Sequence, residues 1–136
     1  MMQAKTLTST ATLLATVLLA GLIVFQLALA VGVPWGAASY GGAAPSVPPH
    51  LRAVSVGAAG FWGIALLVVL RRGGHAVWTP LPVTWLSTTV WVLVGLLVLA
   101  CVLNSLTPSA IERAIWLPVS LVLLASVVTL QVTADH

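Results

Sequence analysis

Four long apolar runs, separated by short polar or Gly/Pro-rich breaks, set the pattern of this chain. They cover residues 11–31, 51–70, 82–103 and 111–132. Each is close to the roughly 20 residues that an α-helix needs to cross a bilayer. None alternates apolar and polar positions as a half-buried strand does, and none confines its apolar residues to one stripe. The pattern predicts an all-α fold: a four-transmembrane-helix bundle, forming a single membrane domain over residues 1–136. The breaks are too short to hold a second domain, and the runs show no internal repeat.

The first run has one competing reading. Lys5 precedes it, and Ala28-Leu29-Ala30 has the small-x-small form of a signal-peptide cleavage site. A secretory apolar region is about 7–15 residues long, shorter than this run, so a retained helix is expected.

Composition supports the membrane reading. Of the 136 residues, 60% are hydrophobic and 5% are charged, whereas soluble domains carry about 25% charged residues. A water-facing surface cannot be assembled from that inventory. The net charge of +3 arises from five basic and two acidic residues. The only basic cluster is Arg71-Arg72, which excludes the clustered footprint that nucleic-acid binding needs. Cys101 is the single cysteine; it rules out an intramolecular disulfide and the Cys-x-x-Cys chemistry of four-helix disulfide-generating oxidoreductases. It reads as a small buried hydrophobe. His50, His75 and His136 have no ligand spacing, so no metal site is expected, and no cofactor motif is present.

Orientation follows from the short-loop cations. With four spans, Lys5, Arg71 and Arg72 share the side of the termini, and Arg52 and Arg113 share the other. Three against two places both termini in the cytoplasm. Trp35, Tyr40 and Trp116 then fall near the outer boundary, and Trp78 and Trp85 near the inner one, as aromatic belts do. Trp62 and Trp91 sit deeper, where they pack between helices or line a cavity. Ala53, Gly57, Gly60 and Gly63 offer small surfaces for close helix approach.

The most unusual segment is residues 33–52, "VPWGAASYGGAAPSVPPHLR". Unsatisfied backbone cannot face lipid, so this loop must lie at the interface or over the helix ends. Pro34, Pro45, Pro48 and Pro49 restrict it, whereas Gly36, Gly41 and Gly42 permit positive φ or close approach. Trp35 and Tyr40 are anchors that a floppy connector would lack. The companion segment is "NSLTPSAIERAIWLP", residues 104–118. Ser109 and Glu112 fit a capping box, and Pro118 interrupts the hydrogen-bond ladder of the fourth span. Arg52 begins a helix, where the dipole disfavours a cation. It either reaches lipid phosphates or pairs with Glu112, with Asn104 completing a polar cluster.

"PWGAASYGG", a Pro-rich turn and "LR", followed by N-x-x-T-x-S-x-x-E-x-x-x-W-x-P, resembles an uncharacterised family of small four-helix bacterial integral membrane proteins. The resemblance runs from the first helix to the fourth. It falls on Pro34, Gly36, Gly41, Gly42, Arg52, Asn104, Thr107, Ser109, Glu112, Trp116 and Pro118, with Tyr40 and Thr107 at variable positions. It implies a multi-pass protein of the bacterial cytoplasmic membrane with an outer-face cluster, and it brings no activity with it.

Three classes of function are open. One is a binding protein, holding a lipid or small amphipathic ligand in an outer-face pocket under the 33–52 loop, with Trp35, Tyr40, Arg52, Asn104, Glu112 and Trp116 as its contacts. Polar groups at membrane depth motivate it. The alternative is a structural or accessory subunit, self-associating or docked on a partner membrane protein. An enzyme on a lipid-like substrate, with Glu112 as acid or base, lacks a positioned second group. Proton-coupled export lacks a carboxylate at the helix centres. Gln26, the deepest polar residue of the first span, is expected to hydrogen-bond between helices.

Overall fold

The computed structural model describes residues 2–42 and 44–135; of the three histidines, His136 lies outside them. The fold is all-helical, in the order α1 (Met2–Ala30), α2 (Pro49–Arg72), α3 (Leu86–Leu106) and α4 (Ala110–Thr133). Three single 3-10 turns, Gly36–Ala38, Tyr40–Gly42 and Val83–Trp85, lie in the connections. All four helices are long and apolar enough to cross a membrane. Only 17–33% of their most apolar windows is buried within the bundle, so most apolar side chains face outward. Water would oppose that surface and hydrocarbon accommodates it.

Helix ends explain where expectation and structure part. α1 starts nine residues before the apolar run because its threonines do not compete with the helix. Thr6, Thr8 and Thr12 each return their hydroxyl to the carbonyl four residues back, at 2.7–3.0 Å, the local bond that lets such residues stay helical. At its other end, Val33 N–H donates to Ala28 O at 3.0 Å and Gly32 N–H to Leu29 O at 3.1 Å. Gly32 adopts a φ of +96° there, completing a Schellman cap. α3 begins at Leu86 rather than residue 82 because Pro82 and the following 3-10 turn occupy the interval. Helix α4 runs through Pro118 without ending.

α1 packs against both α2 and α4, and α3 packs against α4; the α2–α3 seam is much looser. The core is concentrated toward one end. Ala11, Ala15 and Leu19 of α1 meet Val68 and Val69 of α2, Val90 and Leu97 of α3, and Val127 and Leu130 of α4. Most of these positions belong to the half of the bundle nearest the termini, and Leu19 and Leu97 lie near its middle. Alanines there permit close helix approach, and Arg72 closes that end. It holds Asp135 at 2.9 and 3.0 Å and donates to Gln131 Oε1 at 2.9 Å, while Gln131 donates to Ser87 Oγ at 2.7 Å.

Two sequence expectations are corrected. Ala53, Gly57 and Gly60 face away from the bundle, and a methyl group on Gly57, Gly60 or Gly63 would meet no atom within 4 Å. They do not mediate helix approach within this chain. Trp91, 49% exposed, neither packs in the core nor lines either of the cavities described below; it projects outward.

Candidate functional site: a latched loop over a cavity

The half of the bundle away from the termini is where the 33–48 loop and the α3–α4 junction meet. Helix α4 presents Ser109, Glu112 and Trp116 at its N-terminus, spaced i, i+3, i+7 and hence within about 60° of one another around the helix. All three grip the loop backbone. Ser109 Oγ donates to Ala37 O at 2.6 Å, Gly41 N–H donates to Glu112 Oε2 at 2.8 Å, and Trp116 Nε1–H donates to Ala38 O at 2.8 Å. Ser109 also caps its helix, accepting from Glu112 N–H at 3.1 Å. The capping box is therefore half formed. Glu112 turns to the loop instead of back to the N-cap, and Ser109 N–H goes to Thr107 Oγ1 at 3.3 Å.

The loop's glycines are required by this contact. A methyl group on Gly36 would collide with the carbonyls of Ala44 and Pro45, and Gly36 N–H is bonded to Pro45 O at 2.9 Å. Gly42, at φ +70°, lies so close that a Cβ would sit 2.8 Å from Ser109 Oγ. Gly41 has a φ of +77°. Tyr40 is the one described non-glycine residue with positive φ, at 47°. Such backbone persists where surroundings fix it; here the Tyr40 hydroxyl reaches Ser55 Oγ at 2.7 Å and Leu51 O at 3.1 Å, tying the loop to α2 as well.

Beneath the loop lies a cavity of about 340 Å³ lined by all four helices. Leu22, Phe25 and Gln26 come from α1, Trp62 from α2, Leu97, Ala100 and Asn104 from α3, and Glu112, Trp116 and Ser120 from α4; Ser39 and Tyr40 form the roof. Next to it, a groove of about 590 Å³ runs between α1 and α4, lined by Val17, Leu18, Pro34, Trp35, Ile111 and Ile115 among others. Phe25 and Trp116 border both spaces. Their rings are 4.6 Å apart and tilted by 58°, and Trp35 stacks on Phe25 at 6.0 Å.

Of the residues singled out from sequence, Tyr40, Asn104, Glu112 and Trp116 line the cavity, and Trp35 and Pro34 line the groove. The aromatics do not form one ring. Phe25 bridges Trp35 to Trp116, whereas Tyr40 reaches toward α2. Arg52 lines neither space, and its pairing with Glu112 does not occur. Arg52 Nε–H donates to Ala30 O at 3.0 Å, and among the described residues the one side-chain ion pair is Arg72–Asp135. The cation of α2's first turn is thus placed at α1's C-terminus, where the helix dipole favours it. Asn104 joins Glu112 around the cavity, but its Nδ2 donates to Trp116 O and Ser120 Oγ, both at 3.3 Å. With Ser120 Oγ also donating to Trp116 O at 2.7 Å, side-chain donors gather on the backbone around Pro118.

Gln26 departs from its expected role. Its Oε1 is buried without a hydrogen-bond partner among the described residues, as is Thr16 Oγ1, and Gln26 faces the cavity rather than bridging helices. Phe25 and Ser120 carry no sequence signal beyond membership of apolar helices; Gln26 beside Phe25, polar in an apolar run, was the one available hint. No protein-family model, curated protein or solved structure matches this chain.

Proposed function

We propose that this chain is a multi-pass protein of the bacterial cytoplasmic membrane, with both termini in the cytoplasm, that binds a lipid or small amphipathic molecule under its outer loop. One observation carries the reading: a cavity whose lining includes Gln26, Asn104 and Glu112 adjoins an apolar groove across the Phe25–Trp116 pair. Binding sites are typically clefts of about 300–1,000 Å³ with apolar walls and a few convergent polar groups. A polar head fits the first space and an apolar chain the second.

Native mass spectrometry of protein extracted without delipidation tests the reading. One small hydrophobic adduct is expected on the wild type, and Ala100→Phe, which adds volume to the cavity wall, should lose it. Equal retention by a folded Ala100→Phe variant would place the adduct elsewhere and contradict the proposal.

The accessory-subunit reading draws on the outward small-residue face of α2, which no helix of this chain covers. Close packing of that face on a second helix predicts that Gly57→Leu dissociates an oligomer or complex while leaving the adduct in place.

A further inference from the structure

The cavity's chemistry narrows the class of ligand, and the narrowing rests on the ligand-binding reading above. Among the described residues, no Lys, Arg or His lines it. Arg52 is committed to Ala30 O and Arg113 to Thr107 O at 2.7 Å. An anionic head group entering here would meet Glu112 and no cation. The hydroxyl and indole donors are already engaged: Tyr40 with Ser55 or Leu51, Ser120 and Trp116 with backbone carbonyls. The acceptors are not. Gln26 Oε1 is buried and unpartnered, and Glu112 Oε1 and Asn104 Oδ1 accept no hydrogen bond among the described residues.

Aromatic side chains complete the surroundings. Phe25, Tyr40, Trp62 and Trp116 all contribute to the lining, and an organic cation is attracted to an aromatic face within about 6 Å of a ring centroid. Glu112 supplies a carboxylate with no cationic partner among the described residues. From this combination we infer that the cavity binds the ammonium head of an amine-bearing amphiphile, its chain lying in the α1–α4 groove. A primary ammonium would donate to Glu112 Oε1 and Asn104 Oδ1, the open acceptors of two residues that line the cavity, and its charge is balanced by Glu112.

Two sources share that chemistry: an aminophospholipid of the surrounding membrane, or a free lipophilic amine. Octylammonium, 1-octanol and octanoate are probes of equal chain length, and their binding to the full-length protein in maltoside micelles can be read by tryptophan fluorescence. Octylammonium should bind at least about tenfold more tightly than octanol, with octanoate weaker still. Glu112→Gln keeps an acceptor for Gly41 N–H and should reduce the ammonium preference to within about twofold. Trp62→Leu, remote from the bonds that hold the loop, should weaken octylammonium more than octanol. Octanol or octanoate binding as tightly as octylammonium would overturn the ammonium assignment and leave the ligand-binding reading standing. Binding of none of the three would overturn both. Displacement of bound octylammonium by phosphatidylethanolamine, but not phosphatidylglycerol, identifies the membrane as the source; persistence identifies a free amine, and either result upholds the site.

Discussion

Ser109→Ala is the sharpest perturbation of the loop's attachment, because one hydroxyl does two jobs. It accepts from Glu112 N–H at 3.1 Å, capping α4, and it donates to Ala37 O at 2.6 Å, holding the loop. Loss of an N-cap costs about 1 kcal/mol, and a net hydrogen bond is worth about 0.5–1.5 kcal/mol. Both sites are only partly buried, so water can reach the freed groups and the full desolvation penalty does not apply. The two contributions together give about 2 kcal/mol. Ser105→Ala is the control, since among the described residues Ser105 Oγ bonds only Val102 O of its own helix, at 2.7 Å. Its effect should lie within about 0.5 kcal/mol. Reversible unfolding in mixed micelles measures both, and reaction rates of a cysteine placed at Ala44 report whether the loop has lifted. If Ser109→Ala is as mild as Ser105→Ala and the loop cysteine is no more reactive, the loop is not held by this hydroxyl.

Arg52→Ala and Glu112→Ala should be additive to within about 0.5 kcal/mol, because Arg52 bonds Ala30 and Glu112 bonds Gly41; coupling well above that would mean that the two charges do pair. Gly36→Ala should cost about 1–3 kcal/mol through the collision with Ala44 and Pro45. In the same unfolding assay, Gly57→Ala should be neutral or stabilising by up to about 1 kcal/mol, since it fills open space on a helix. In intact cells, an impermeant thiol reagent should label a cysteine at Ala44 and spare one at Gly74. The reverse pattern would put the loop in the cytoplasm.

The helix count was legible because four apolar runs of membrane-spanning length admit few alternatives, and the ends of α2 and α4 fell within two residues of expectation. The N-terminal extension of α1 was not, since a threonine-rich segment reads as polar until its hydroxyls are seen bonding to their own helix. At the site, the i, i+3, i+7 spacing of Ser109, Glu112 and Trp116 was visible, but the loop groups they hold are backbone atoms. Every residue offers such atoms, so sequence cannot say which are chosen. The same limit misassigned Arg52: charge complementarity pointed to Glu112, whereas a helix-terminal carbonyl took the bond. Phe25 and Ser120 reach the cavity by their rotation about α1 and α4, which helices apolar on every face do not encode in a hydrophobic stripe.

Ligand binding in the space under the loop can be seen directly. A crystal structure grown from lipidic mesophase, using protein never stripped of its native lipid, tests it most directly. Non-protein density is expected in the cavity, its polar end within hydrogen-bonding distance of Glu112 or Asn104 and its apolar end passing Phe25 and Trp116 into the α1–α4 groove. A cavity closed by its own side chains, or holding water alone, would contradict it.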